Sequence, residues 1–168
     1  VYLEYAGKHN YNEITVGCPS LRLKYEGFFE VPKGRIEVYQ FLVDPRKFAR
    51  ALPGFKSVEV TGEGEFKVDL TINIGPLRGD ATVTARFVEA REHSHAKVTG
   101  RGRGAGSTLD FTLTFTIDEI NTGSKINWAF EGTVGGLAAS IGGRVLDSIA
   151  RNIINDVVNN LKNQLLNL

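Results

Sequence analysis

Three groups of residues have types and spacings that could do chemistry. His93-Ser94-His95 offers two imidazoles for a metal ion. The run Gly100-Arg101-Gly102-Arg103-Gly104-Ala105 fits the G-x-G-x-x-A spacing of a dinucleotide pyrophosphate cradle, and its Arg-Gly-Arg-Gly core suits an RNA-binding segment. Glu63 and Glu65 could work as an acid and base pair. Each needs a setting that the surrounding sequence withholds. Two histidines at i and i+2 without a carboxylate third ligand, inside the charged "EAREHSHAK", read as a solvated hairpin turn, and no metal is expected. A pyrophosphate cradle must open a helix whose free N–H groups meet the anion. Here the run leads into "STLDFTLTFTI", whose period is two. Stacking aromatics for RNA are also missing, since the nearby phenylalanines share one parity with the core. The two glutamates flank a turn glycine, where solvation is the default. Cys18 has no partner base, His9 lies in an unassigned segment, and no catalytic residue is nominated.

The totals agree with that reading. The chain has 168 residues, 42% hydrophobic and 23% charged, with a net charge of +1. This is an ordinary globular composition without a broad basic footprint, so nucleic acid is not expected as a partner. One cysteine excludes an intrachain disulfide and suits a reducing cytosol. No apolar run approaches the ~20 residues of a membrane span, and the first residues carry no signal-peptide core, so a cytoplasmic location is expected.

Alternation organises the middle of the chain. Phe66, Val68, Leu70, Ile72 and Ile74 share one face of a strand, and Gly75-Pro76 turns it. Ala81, Val83, Ala85 and Phe87 share the next, and Leu109, Phe111, Leu113, Phe115 and Ile117 another. Asn121-Thr122-Gly123 then turns into a strand headed by Ile126, Trp128 and Phe130. Short turns between such strands describe an antiparallel meander with one buried face.

Two segments change period. Ile36, Tyr39, Gln40 and Val43 have helical spacing, and Asp44-Pro45 reads as an N-cap and first helical residue of a second short helix, closed by Leu52-Pro53-Gly54. From about Gly136 onward, Leu137, Ile141, Val145, Ile149, Ile153, Val157, Leu161 and Leu165 recur in steps of four. Such a line gains ~40° per step and winds around a long helix. Glycine costs ~1 kcal/mol in a helix interior, so Gly135-Gly136 and Gly142-Gly143 at its start need a reason: close crossing over the sheet, or a flexible end that opens. With the Leu52-Pro53-Gly54 corner, Gly135 and Gly136 form the expected gate. The fold class is α+β: a curved antiparallel sheet of about seven strands, two short helices and one long C-terminal helix. Residues 21–168 are expected to form one domain. Residues 1–20 stand outside it as an extension, with Glu13–Val16 as a conceivable edge strand.

Parity gives the glycine run its third reading. If Ala96 and Val98 point inward, so do Gly100, Gly102 and Gly104. Small inward residues beneath a long helix mean either close approach of helix and sheet, or a hollow with apolar walls of the kind that takes a small molecule. The expected lining is Leu70, Ile72, Val83, Ala85, Gly100, Gly102, Phe111, Phe115, Trp128 and Phe130 from the sheet, with Ile141 and Val145 from the helix.

The order strand, two helices, meander, long helix resembles the helix-grip plan of the START-like (SRPBCC) superfamily. Within it the chain resembles the CoxG family of carbon monoxide dehydrogenase subunits, through "GFFEVP", "DPRKFARALPGFKSVEV", "INIGPLRGDATVTARF", "GRGRGAGSTLDFTLTF" and "VGGLAASIGGRVLDSIARNI", over about residues 21–165. The resemblance implies a non-catalytic accessory protein serving a molybdenum hydroxylase of the CO dehydrogenase type, holding a lipid or quinone in its cavity with no covalent cofactor. It also implies peripheral contact with the inner face of the membrane. Family members can carry a C-terminal extension for attachment; here the sequence ends at Leu168. The alternatives are a docking adaptor without ligand, oligomeric or not, and, last, a cyclase or hydrolase of the same superfamily.

Overall fold

In the computed structural model the described residues are Tyr2–Leu3, as backbone, and 20–168. Cys18, His9 and the expected edge strand at Glu13–Val16 lie outside them. The elements run β1 (Tyr2–Leu3), β2 (Ser20–Val31), α1 (Arg35–Leu42), α2 (Pro45–Ala49), β3 (Phe55–Gly62), β4 (Glu65–Ile74), β5 (Leu77–Arg91), β6 (His95–Gly104), β7 (Ser107–Ile120), β8 (Gly123–Gly136), α3 (Leu137–Ser140) and α4 (Gly143–Leu166). Strands β2–β8 are the seven long ones that the alternation predicts. β1 adds a two-residue edge opposite Tyr25 and Glu26.

All pairings are antiparallel, in the order β1-β2-β8-β7-β6-β5-β4-β3. β3 to β8 follow one another as hairpins. β2 instead pairs with the last strand, so α1 and α2 must carry the chain from β2 to the far edge, where β3 begins. The side-chain period of two then places one set of residues on the concave face: Tyr25 and Phe29, Phe66 and Val68, Ala81 and Ala85, Ala96 and Val98, Phe115 and Ile117, Ile126 and Trp128 are all buried there.

The helices close that face. The Asp44 side chain accepts from the Arg46 backbone N–H at 3.0 Å, with Pro45 as first helical residue, so the N-cap predicted from Asp44-Pro45 is formed. α1 rotates away from its predicted face. Val38, Phe41 and Leu42 are its buried residues, and Ile36 stands 53% exposed.

The C-terminal segment is two helices rather than one. α3 occupies four residues, and Gly142, at φ +96° and ψ 146°, breaks the chain before α4 starts at Gly143. That region of backbone space is open essentially to glycine alone, which gives this glycine pair a reason beyond close crossing. α4 then spans 24 residues and lies against β2, with Leu146, Leu161 and Leu165 buried.

Candidate functional site

Sheet and helix do not meet everywhere. Between them lies a hollow of about 580 Å³, within the size range of small-molecule sites. Alternate residues of the strands supply its floor. Leu70 and Ile72 of β4, Val83 and Ala85 of β5, and Gly102 of β6 line it, as do Phe111 and Phe115 of β7 and Trp128 and Phe130 of β8. The roof is a stripe of α4 at steps of three and four: Leu146, Ile149, Ala150, Ile153, Ile154, Val157 and Leu161. Phe48 and Ala49 of α2 close one side.

Three residues expected in the lining stand outside it. Gly100 points inward, but a Cβ there would lie 2.6 Å from Phe111 Cζ and 2.8 Å from the Thr84 carbonyl oxygen. Its missing side chain makes room for a phenylalanine ring rather than for a guest. Gly102, two residues along, meets nothing closer than Val83 Cγ2 at 3.5 Å, so its space opens into the hollow. Gly132 repeats the covered arrangement under Leu109 and Phe130, and Gly27 lies under the Trp128 ring, where a Cβ would stand 2.8 Å from Cζ2. Val145 is 48% exposed. It precedes Leu161 by four steps of four, and a drift of ~40° per step turns it to the opposite side of α4. Ile141 falls in the break between α3 and α4, half-buried against the core. The residues that sequence reasoning left out, Leu146, Ala150 and Ile154, form a second line of step four, one residue after the expected one, and the stripe on the hollow takes members of both lines.

Of the expected gate, Leu52, Pro53 and Gly54 stand on the rim of the hollow, whereas Gly135 and Gly136 do not line it. The corner is tied to β4, because the Thr71 N–H donates to the Gly54 carbonyl at 2.8 Å. At the end of β8 the Leu137 N–H donates to the Gly106 carbonyl at 2.9 Å, and the Ala138 N–H to Ser107 Oγ at 2.9 Å. α3 is thereby stapled to the β6–β7 turn.

The walls are almost wholly hydrocarbon. Among the few lining residues with polar groups, Tyr25, Thr71, Asn73, Arg103, Ser107 and Thr108, the Tyr25 hydroxyl donates to Asp147 Oδ1 at 2.9 Å, while Arg151 Nε holds Asp147 Oδ2 at 3.1 Å. Among the described residues every fully buried side-chain N or O has a hydrogen-bond partner, so no orphaned polar group demands a polar guest.

The other candidates for chemistry lie elsewhere. His95 Nε2 sits 3.0 Å from Glu89 Oε2, and His93 Nε2 sits 3.5 Å from Glu92 Oε1, so the two imidazoles have separate partners in the β5–β6 turn. Among the described residues no group of three or more His, Cys, Asp or Glu could hold a metal ion. Arg101, on the outer face, pairs with Asp110 across the strands. That hydrogen-bonded pair raises the guanidinium pKa and lowers that of the carboxyl. No helix of the described residues is long and apolar enough to cross a membrane.

A concave antiparallel sheet gripping a long C-terminal helix over an apolar hollow defines a START-like helix-grip fold. A START superfamily protein from Mycobacterium smegmatis shares it with a TM-score of 0.67 at 11% identity, over 86% of this chain and 97% of that one. A conserved protein from Geobacillus kaustophilus superposes with a TM-score of 0.80 at 25% identity, covering 86% and 96%. A protein from Chromobacterium violaceum gives 0.64 at 17%, covering 84% and 96%. The family profile of the carbon monoxide dehydrogenase subunit CoxG matches residues 27–166, and the chain belongs to that family. A comparison with curated proteins gives no match.

Proposed function

We propose that this chain is a non-catalytic accessory protein that carries an apolar ligand in the hollow and serves a CO dehydrogenase-type molybdenum hydroxylase. The observation that carries the ligand is the hollow itself: about 580 Å³ walled by aliphatic and aromatic side chains. Protein interiors normally pack to a density of ~0.74, so an apolar space of this size is a place for a guest rather than a packing defect. The family's description as a subunit of carbon monoxide dehydrogenase supports the partner. An isoprenoid quinone or another lipid suits the walls, since burial of apolar surface supplies ~25 cal/mol per Å² without any polar contact. Peripheral contact with a membrane is compatible with loading such a guest.

Native mass spectrometry of the freshly purified protein tests the reading. A bound apolar molecule at one per chain supports it. Protein that arrives empty and takes up neither lipid nor a quinone analogue removes it. A second reading is a docking adaptor. It is favoured by the exposed apolar residues Leu137 and Val145, 47% and 48% accessible near the start of α4. Capture of the hydroxylase by Gly102→Phe protein, whose hollow is filled, would select the adaptor.

A further inference from the structure

We infer that Gly27 and Gly132, neither of which lines the hollow, are positioning residues that set its depth from beneath, and with it the tolerance for a rigid guest. This rests on the apolar-ligand reading and deepens it from a chemical class to a shape. Both glycines face inward. Gly27 stands two residues from each of Tyr25 and Phe29 on β2, and Gly132 two residues from each of Phe130 and Val134 on β8, and all four of those neighbours line the hollow.

Each glycine is covered by lining side chains. Gly27 is the cross-strand partner of Trp128. The three atoms nearest to a Cβ there all belong to the indole: Cζ2 at 2.8 Å, Cε2 at 3.1 Å and Nε1 at 3.3 Å. At Gly132 the nearest are Leu109 Cδ1 at 3.0 Å and Phe130 Cε1 at 3.1 Å. Inward side chains ordinarily stand roughly perpendicular to a sheet. Here an indole and a phenyl ring lean across residues without side chains, and so take up space beside the backbone rather than space in the hollow.

The consequence follows from the distances. Ordinary contact at a Cβ begins at 3.4 Å, so a methyl group at Gly27 makes the indole retreat from 2.8 to 3.4 Å, and one at Gly132 makes Leu109 retreat from 3.0 to 3.4 Å. The methyl projects from the inward face, so the retreat carries these side chains toward the hollow. They are able to move. The nearest atoms at both positions are side-chain atoms, unlike those at Gly100, where the Thr84 carbonyl stands at 2.8 Å. In the ligand-free protein the raised rings have room above them. In the complex they meet the guest. A flexible chain can bend around a raised ring, whereas a rigid body cannot.

The test titrates the wild type, Gly27→Ala and Gly132→Ala with diphenylhexatriene, a rigid apolar fluorophore, and then displaces it with the straight-chain alcohol of equal carbon count. Binding is read from the probe and from quenching of Trp128, the one tryptophan of the chain. Both variants should bind the probe roughly five- to thirty-fold more weakly, the effect of overpacking by one methylene, and the alcohol by a smaller factor. Unfolding midpoints of the ligand-free variants should stay with that of Gly34→Ala, whose methyl meets nothing within 4 Å. Trp128→Phe, which withdraws the covering indole, should restore probe binding to Gly27→Ala. Either glycine variant that folds serves. Unchanged probe affinity in a folded variant, equal losses for probe and alcohol, no recovery with Trp128→Phe, or failure of both variants to fold overturns the inference and leaves the ligand reading intact. Binding of neither molecule by the wild type overturns both.

Discussion

The ring of Phe111 lies over Gly100, its cross-strand partner, so closely that a single added carbon would stand 2.6 Å from the ring tip. Gly102 faces open space on the same strand. Two inward glycines therefore do opposite jobs. One admits a side chain of the protein, and the other borders a vacancy.

Substitution separates them. Gly100→Ala should destabilise by ~1–3 kcal/mol, because the Thr84 carbonyl 2.8 Å away is backbone and cannot step aside as the ring can. Gly102→Ala, with only ordinary contacts waiting, should be neutral or stabilising by up to ~1 kcal/mol through the unfolded chain. Denaturant titration of both variants checks the pair.

The Tyr25–Asp147 hydrogen bond anchors α4 to β2. Tyr25→Phe should cost at least ~1 kcal/mol and leave the fold unchanged. In a double-mutant cycle with Asp147→Ala, which removes the acceptor, the coupling should be favourable, and strict additivity of the two losses would show that the bond contributes nothing.

Gly142 tests backbone conformation without crowding. Nothing stands within 4 Å of a Cβ there, yet φ is +96°. Gly142→Ala should therefore lose ~1–3 kcal/mol through strain alone, lowering the unfolding midpoint by several degrees. Gly34→Ala, equally open but at φ −65°, should not.

Acid should weaken the outer face of the sheet. Hydrogen bonds from Thr82, His95 and Arg101 hold Asp69, Glu89 and Asp110 below their ordinary values of 3.8, 4.5 and 3.8. A carboxyl group with a depressed folded pKa adds stability that is complete above its unfolded value and disappears as pH falls through the folded one. The unfolding midpoint should drop as pH falls below the ordinary carboxylate range, and Asp110→Asn should make that drop shallower. Because all three groups are exposed, the effect should be modest and should shrink in high salt.

Much of this architecture is legible in the letters. The alternation from Phe66 to Ile74 and from Leu109 to Ile117 places the right residues on the concave face, and Asp44-Pro45 marks a helix start that is formed. What escapes depends on a neighbour remote in sequence or on a local backbone geometry that residue types alone do not fix. Parity shows that Gly100 points inward but not that Phe111 folds over it. A step of four shows that the apolar line winds but not where it leaves the interior, so it puts Val145 in a lining from which that residue turns away. Gly142 reads as a costly residue in a helix, whereas its positive φ ends one helix and permits another.

The central claim is that the hollow between sheet and α4 is a binding site. Titration of the wild type and of Gly102→Phe with an apolar fluorescent probe tests it most directly, with an unfolding midpoint measured for each. The account predicts saturable binding at one site per chain, lost in Gly102→Phe while its midpoint stays within about 4 °C of the parent, a shift worth roughly 1 kcal/mol for a domain of this size. Undiminished binding by a folded Gly102→Phe protein, or no binding by the wild type, would contradict it.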